Sequence, residues 1–244
     1  RIRVIRRGAF VEDPSRVVRA LRYAARLAFR MEEGTEAEAR ESAHAVTLDQ
    51  SRVADEVARL LGEASAPAGL RMGEALGLGW TDPDPLRDDR LAAIDPTLAR
   101  PGAPAPTTWA LRLGLGIRPD AAATAALPQW ARAIAREVRD GLVLGARLAG
   151  RTRPSEVDAI LRDCAPAAQV GASIAGAAGV ADWWATWRDL APEVTGSDLV
   201  AAGVAPGPAI GRALRAVRAA VLDGEVSGRG EQMAMALAEA GRYR

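Results

Sequence analysis

The feature that most constrains this chain is a run in which arginine recurs at helical spacing. After Pro14 come Arg16, Arg19, Arg22, Arg26 and Arg30, with Val17, Val18, Ala20, Leu21, Ala24, Ala25, Leu27 and Ala28 between them. At about 100° per residue, the five arginines share an arc of roughly 120° and the apolar residues fill the other side. A strand would scatter these residues over both faces. The run therefore predicts one helix over 15–30, with a buried face, a cationic face and the acidic pair Glu12-Asp13 at its entrance. Helical periodicity continues along most of the chain, and alternation of the β kind is confined to residues 2–6. The expected fold class is all-α, with many helices arranged as a bundle or arc.

Helices are predicted over 35–46 and over 50–64, the latter N-capped near Asp49 or Ser51. Residues 65–79 read as a helix ending near Gly77. Prolines break 81–106, leaving room for a short helix at 86–93. Further helices are expected at 107–115, 119–126, 128–150, 154–163, 166–178, 181–190, 197–202, 207–222 and 228–240. Modules split near 65 and 152, giving 1–64, 65–151 and 152–244.

Composition narrows the function classes. The chain has 244 residues, 49% hydrophobic and 26% charged, which suits one or two folded domains and not a disordered segment. The single cysteine, Cys164, rules out a disulfide framework and a cysteine-rich zinc site, and it reads as a small buried hydrophobe. The one histidine, His44, cannot build a metal site or a Ser-His-Asp triad alone, and it reads as a surface or helix-packing residue. No apolar run reaches the ~18 residues of a membrane span, so no membrane partner is expected and the cytoplasm is the expected compartment.

Net charge is only +1 but unevenly placed. Residues 1–30 hold nine arginines against Glu12 and Asp13. Residues 31–100 hold fifteen acids against seven arginines, and 132–153 are basic again. Separation of this kind puts cationic surface at particular places instead of everywhere. All basic side chains other than His44 are arginine. Composition alone would give that, but it would not line five of them on one helix face. That face is either a solvated surface or a contact for nucleotide or RNA, since the guanidinium fork suits phosphates and base edges.

Three motifs, in order, resemble one family. Glu12-Asp13-Pro14-Ser15-Arg16 with Arg19-Ala20-Leu21-Arg22-Tyr23-Ala24-Ala25-Arg26-Leu27 resembles the neck helix of class II tRNA nucleotidyltransferases, the CCA-adding enzymes, and of the related bacterial poly(A) polymerases. Ser51-Arg52-Val53-Ala54-Asp55-Glu56 resembles the helix that supports the neck. Thr195-Gly196-Ser197-Asp198-Leu199, the stretch Gly203 to Gly211, and Asp223-Gly224-Glu225-Val226 resemble the family's tail pattern. The motifs cover about a third of the chain, and 63–194 match no named pattern.

The resemblance implies a protein template for nucleotide choice. Asp13 and Arg16 would read the edge of incoming CTP or ATP, Glu12 would orient Arg16, and Arg19 would bind the nucleotide. Arg22, Arg26, Gly207, Arg212 and Arg215 would contact tRNA, the last three around a helix start followed also by Arg218. The Gly203–Gly211 turn alone fits either a phosphate grip or a structural turn. Trp80, Trp109, Trp130, Trp183, Trp184 and Trp187 fit stacking on bases or, at their helical spacing, core packing.

The family's catalytic head, with paired carboxylates holding Mg²⁺, has no counterpart here. The only D-x-D, Asp82-Pro83-Asp84, lies in a proline-rich loop and follows no Gly-Ser. With no initiating Met, the chain reads as the neck, body and tail of a longer enzyme, inactive alone, with no catalytic or metal-binding residue of its own. CC-only, A-only and poly(A) enzymes share these residues. A non-catalytic helical RNA-binding or protein-interaction module is the alternative from another class.

Overall fold

The computed structural model describes residues 1–242, apart from the side chains of Ala123 and Thr124. The fold is all-α, as expected. Among the described residues no strand forms. The alternating residues near the N-terminus yield only an isolated bridge between Ile2 and Met31, and a second bridge joins Thr81 to Ile117. The helices group into two compact units.

The first unit comprises 1–99, 104–147 and 165–176. The arginine run forms helix Ser15–Arg26, shorter than its periodicity suggested. Val17, Val18, Leu21 and Ala24 are buried where it packs on Ser51–Gly62 and Ala66–Ala75. Its end is set by backbone geometry. Ala28 turns left-handed at φ 51°, and the Phe29 N–H bonds back to Ala24 O at 2.8 Å, the hydrogen bond of a Schellman stop. Arg30 is therefore off the helix and leaves the cationic face.

Helix Ser51–Gly62 begins after Gln50 without a side-chain cap, so neither Asp49 nor Ser51 plays the predicted capping part. Buried Arg112 serves its other end, donating to Leu61 O and Glu63 O at 2.9 and 2.8 Å. Helices Arg87–Ala92 and Ile94–Leu98 occupy the proline-rich stretch, one more than expected. The long helix Gln129–Leu148 approaches its neighbours through glycines. A Cβ on Gly141 would lie 2.1 Å from Ala168 O, on Gly171 2.1 Å from Val138 O, and on Gly114 2.5 Å from Ala135 O.

The second unit comprises 100–103, 148–164 and 177–244. Val194, Leu199, Val204, Ala213, Val217, Ala236 and Ala240 form a core beneath helices Gly196–Ala201, Pro208–Leu222 and Gly228–Gly241. Trp183 and Trp184 are fully buried. The predicted helix at 181–190 is in part a π-turn, Trp183–Trp187. Cys164 is only half-buried, its thiol donating to Ile160 O at 3.0 Å, which corrects the expectation of a core residue.

Candidate nucleotide-selecting site

The site gathers where helix Ser15–Arg26 starts beside helix Ser51–Gly62. Asp13 turns the chain into the first of these. One carboxylate oxygen accepts the Ser15 N–H and hydroxyl, and the other faces Arg52 Nη1 at 3.3 Å and Arg16 Nε at 3.9 Å. The Ser15 hydroxyl, then its N–H and the two arginines, hold the Asp13 carboxyl below the usual range against the effect of burial. Asp13 is thus an anion at neutral pH.

Arg16 donates to Ala9 O at 3.1 Å and lies 3.7 Å from Glu12. Glu12 pairs more closely with Arg6, a partner that sequence reasoning had not assigned. The Arg6 hydrogen bond is the main reason the Glu12 carboxyl sits below its ordinary value.

One turn along the helix, a single buried carboxylate organises the arginines. Glu56 is 1% exposed. It accepts Arg19 Nε and Nη2 at 3.0 and 2.8 Å, Arg22 Nε at 3.3 Å and Arg59 Nη1 at 2.8 Å. Burial pushes its carboxyl up, but the Arg19 hydrogen bond and the charges of Arg19, Arg22 and Arg59 outweigh this and hold it low. Glu63 continues the row, 2.9 Å from Arg22 and 3.6 Å from Arg26. Tyr23 lies between Arg22 and Arg26, each guanidinium less than 5 Å from its ring.

These arginines are not equivalent. Arg19 and Arg59 remain half exposed, whereas the Arg22 side chain is 11% exposed between two carboxylates. Arg22, expected to touch RNA, faces the protein and positions its neighbours. Arg16, Arg19, Arg26, Arg52 and Arg59 keep donors toward solvent on one surface. Arg52 and Arg59 were the residues missed as site members. They sit seven apart on the supporting helix, two turns on the same face, which was the available signal.

Unit two carries the tail residues. Thr195 and Asp198 form a reciprocal capping box, and Arg229 binds Asp198 at 2.6 Å. The Thr195 N–H, then its hydroxyl, then Arg229 lower Asp198 to about 2. Gly203, at φ 89°, closes that helix, with Val204 N–H reaching Leu199 O. Asp223 accepts Ser155 N and Oγ at 2.9 and 2.6 Å, and Gly224 at φ 72° closes helix Pro208–Leu222. Much of the tail motif therefore encodes helix ends. Gly207 precedes Pro208 at a helix start, Arg212 is half-buried and Arg215 is exposed. Arg218, expected beside them, is turned inward on Asp158, with two hydrogen bonds at 2.9 Å.

The only D-x-D does not fit a metal pair. Asp82 accepts the N–H of Asp84, while Asp84 accepts the N–H of Leu86 and pairs with Arg90. Among the described residues, no three His, Cys, Asp or Glu converge to hold a metal ion. Nor does any described helix have the length and apolarity to cross a membrane.

No protein-family model and no curated protein matches the chain. Solved structures do. The Thermotoga maritima CCA-adding enzyme complexed with tRNA superposes on 96% of the chain with a TM-score of 0.76 at 19% identity. CCA-adding enzyme structures with ATP and with CTP give 0.75 and 0.73, covering 96% and 99% of the chain at 19% identity.

Its fold is that of CCA-adding enzymes.

The chain spans about 62% of the length of these enzymes. The resemblance carried by three short motifs and the fold likeness across nearly the whole chain point to the same enzymes. The CCA-adding enzyme likeness also takes in residues 63–194, where no motif was legible.

Proposed function

We propose that this chain is the nucleotide-selecting and tRNA-binding part of a tRNA nucleotidyltransferase that adds CCA to tRNA 3′ ends from CTP and ATP. The observation that carries the reading is the Asp13–Arg16–Arg19 row, fixed by Ser15, Ala9 O and Glu56 while donors stay open to solvent. Fixed donors and an ionised acceptor at a helix start suit the edge of a base and the phosphates behind it. Residues 1–64 would act as neck, 65–151 as body and 152–244 as tail, the last two residues lying outside those described. Arg26, Gly207, Arg212 and Arg215 would meet tRNA. Mg²⁺ and the transfer step would belong to carboxylates outside this chain, so the chain alone would add no nucleotide. The cytoplasm is the compartment proposed.

The test uses the full-length protein and tRNA lacking CCA. Arg16→Ala should change the CTP/ATP preference by roughly tenfold or more, since a good bidentate base contact carries ~1–3 kcal/mol of discrimination. Unchanged preference and rate in that variant would remove the template assignment. Product length separates CCA addition from poly(A) synthesis.

A further inference from the structure

A cleft of about 590 Å³ opens in the first unit, and His44, Val46, Leu48, Asp49, Gly79 and Trp80 are among its lining residues. That volume suits a small molecule. No residue of the Asp13–Arg16–Arg19 row lines it, and no arginine stands among its described lining residues. The cleft is therefore separate from the cationic surface and offers no guanidinium to a phosphate.

Its wall is fixed and carries an unpaired donor. Trp80 is 4% exposed, so it packs and presents no open stacking face. The Trp80 carbonyl accepts the Arg118 N–H at 2.9 Å, and Thr81 bridges to Ile117 directly after it. Leu48 is pinned in turn, its carbonyl accepting the Ala126 N–H at 2.7 Å. The Trp80 indole N–H is nevertheless buried without an acceptor among the described residues. An indole has one donor and no acceptor, and buried donors in folded proteins are as a rule paired. The pinned backbone keeps this one from turning out to water. An acceptor atom on a molecule in the cleft would pair it.

The other lining groups complement that donor. Asp49 is exposed and offers carboxylate oxygens to an amino group. His44 is exposed too. Its Nδ1 donates to Glu41 O at 2.9 Å, which leaves Nε2 as the ring's other nitrogen. Val46 and Leu48, 2% and 4% exposed, supply an apolar side. A buried donor, an anionic acceptor and an apolar wall together select a flat, uncharged molecule with a ring acceptor beside an amino group.

We propose that this cleft binds an amino-substituted heterocycle without phosphate, of the kind found in adenine and cytosine nucleosides. A ring acceptor takes the Trp80 N–H, the amino group donates to Asp49, and the ring lies against Val46 and Leu48. The site is additional to the nucleotide-selecting row and does not depend on it.

The experiment titrates the 244-residue chain, isotope-labelled at its six tryptophan indoles, with adenosine and with cytidine, and follows the indole N–H resonances by NMR. The Trp80 resonance, assigned through its own backbone, should move downfield and saturate at millimolar nucleoside. Purine riboside, which is adenosine without its amino group, should bind roughly tenfold more weakly, and Asp49→Ala should weaken adenosine by about as much, the scale of one hydrogen bond to a charged group. Gly79→Val should block binding. Gly79 lies outside the left-handed region and no atom stands within 4 Å of where its Cβ would be, so the variant folds and its side chain occupies the cleft. Arg16→Ala should bind adenosine as the parent does. A Trp80 resonance that neither nucleoside moves overturns the site. So does an equal shift in Gly79→Val, or loss of the shift in Arg16→Ala, which would put the nucleoside on the arginine row.

Discussion

Each unit contains one buried carboxylate that gathers arginines, and the two knots differ in what they leave outside. Glu56 in the first unit holds Arg19, Arg22 and Arg59, and two of the three guanidinium groups remain half exposed. Asp158 in the second unit is 5% exposed. It binds Arg162 and Arg218 with paired hydrogen bonds and accepts the Trp183 indole N–H at 2.8 Å. Arg218 also donates to Trp187 O and Arg188 O, so its fork is filled by protein. The same chemistry therefore serves two ends. One carboxylate fixes cations so that they face solvent at a defined angle. The other leaves Arg162 half exposed but encloses Arg218, and ties the π-turn to helices Pro154–Leu161 and Pro208–Leu222.

Removing each carboxylate tests that distinction. Asp158→Ala strands a mostly buried guanidinium and an indole donor, and should cost about 3–5 kcal/mol in chemical denaturation. Glu56→Gln should cost less, about 1–3 kcal/mol, because Arg19 and Arg59 regain water when released. Equal losses in the two variants would mean that exposure does not separate the knots.

Acid titration sharpens the comparison further. Glu56 and Asp198 both have folded pKa values below their unfolded ones. Each contributes stability that is fully present above its unfolded value, near 4.5 for Glu56 and 3.8 for Asp198. That stability is lost as pH falls through the folded value, about 2 for Asp198. Glu56→Gln should flatten the acid limb of an unfolding curve from about pH 4.5 downward. Asp198→Asn should flatten it only nearer pH 2–4, between that carboxyl's folded and unfolded values. An acid limb identical to the parent's in both variants would contradict the ion-pair assignments.

Helix ends give the smallest expected effect. The second unit stops its helices with Gly203 and Gly224 in the left-handed region, whereas the arginine helix stops at Ala28. Ala28→Gly should relieve the left-handed strain and stabilise by up to about 1 kcal/mol, read as a small rise in Tm. A fall would show that the loss of backbone freedom outweighs the strain at this position.

The arginine periodicity made the two-faced helix legible, and the three motifs named the family whose fold the chain shares. Neither showed how far that helix runs. The apolar pattern continues through Leu27 and Ala28, and only the backbone bonds from Ala28 and Phe29 stop it. The candidate site was legible as a list, Glu12, Asp13, Arg16 and Arg19, without the roles of its members. Arg22 and Arg218 look like Arg19 and Arg215 in sequence, because all four follow the same helical spacing.

Local sequence thus determined the elements, since helical periodicity, prolines at first turns and glycines at helix ends act over a few residues. It also determined that positive charge would concentrate on particular helix faces. Only the tertiary structure decided which charges stay available. Glu56 lies 37 residues beyond Arg19 and Asp158 lies 60 before Arg218. A carboxylate brought in from such a distance leaves no trace in the spacing around the arginine it binds. Its effect depends on burial, which is a property of packing between helices and not of either helix alone.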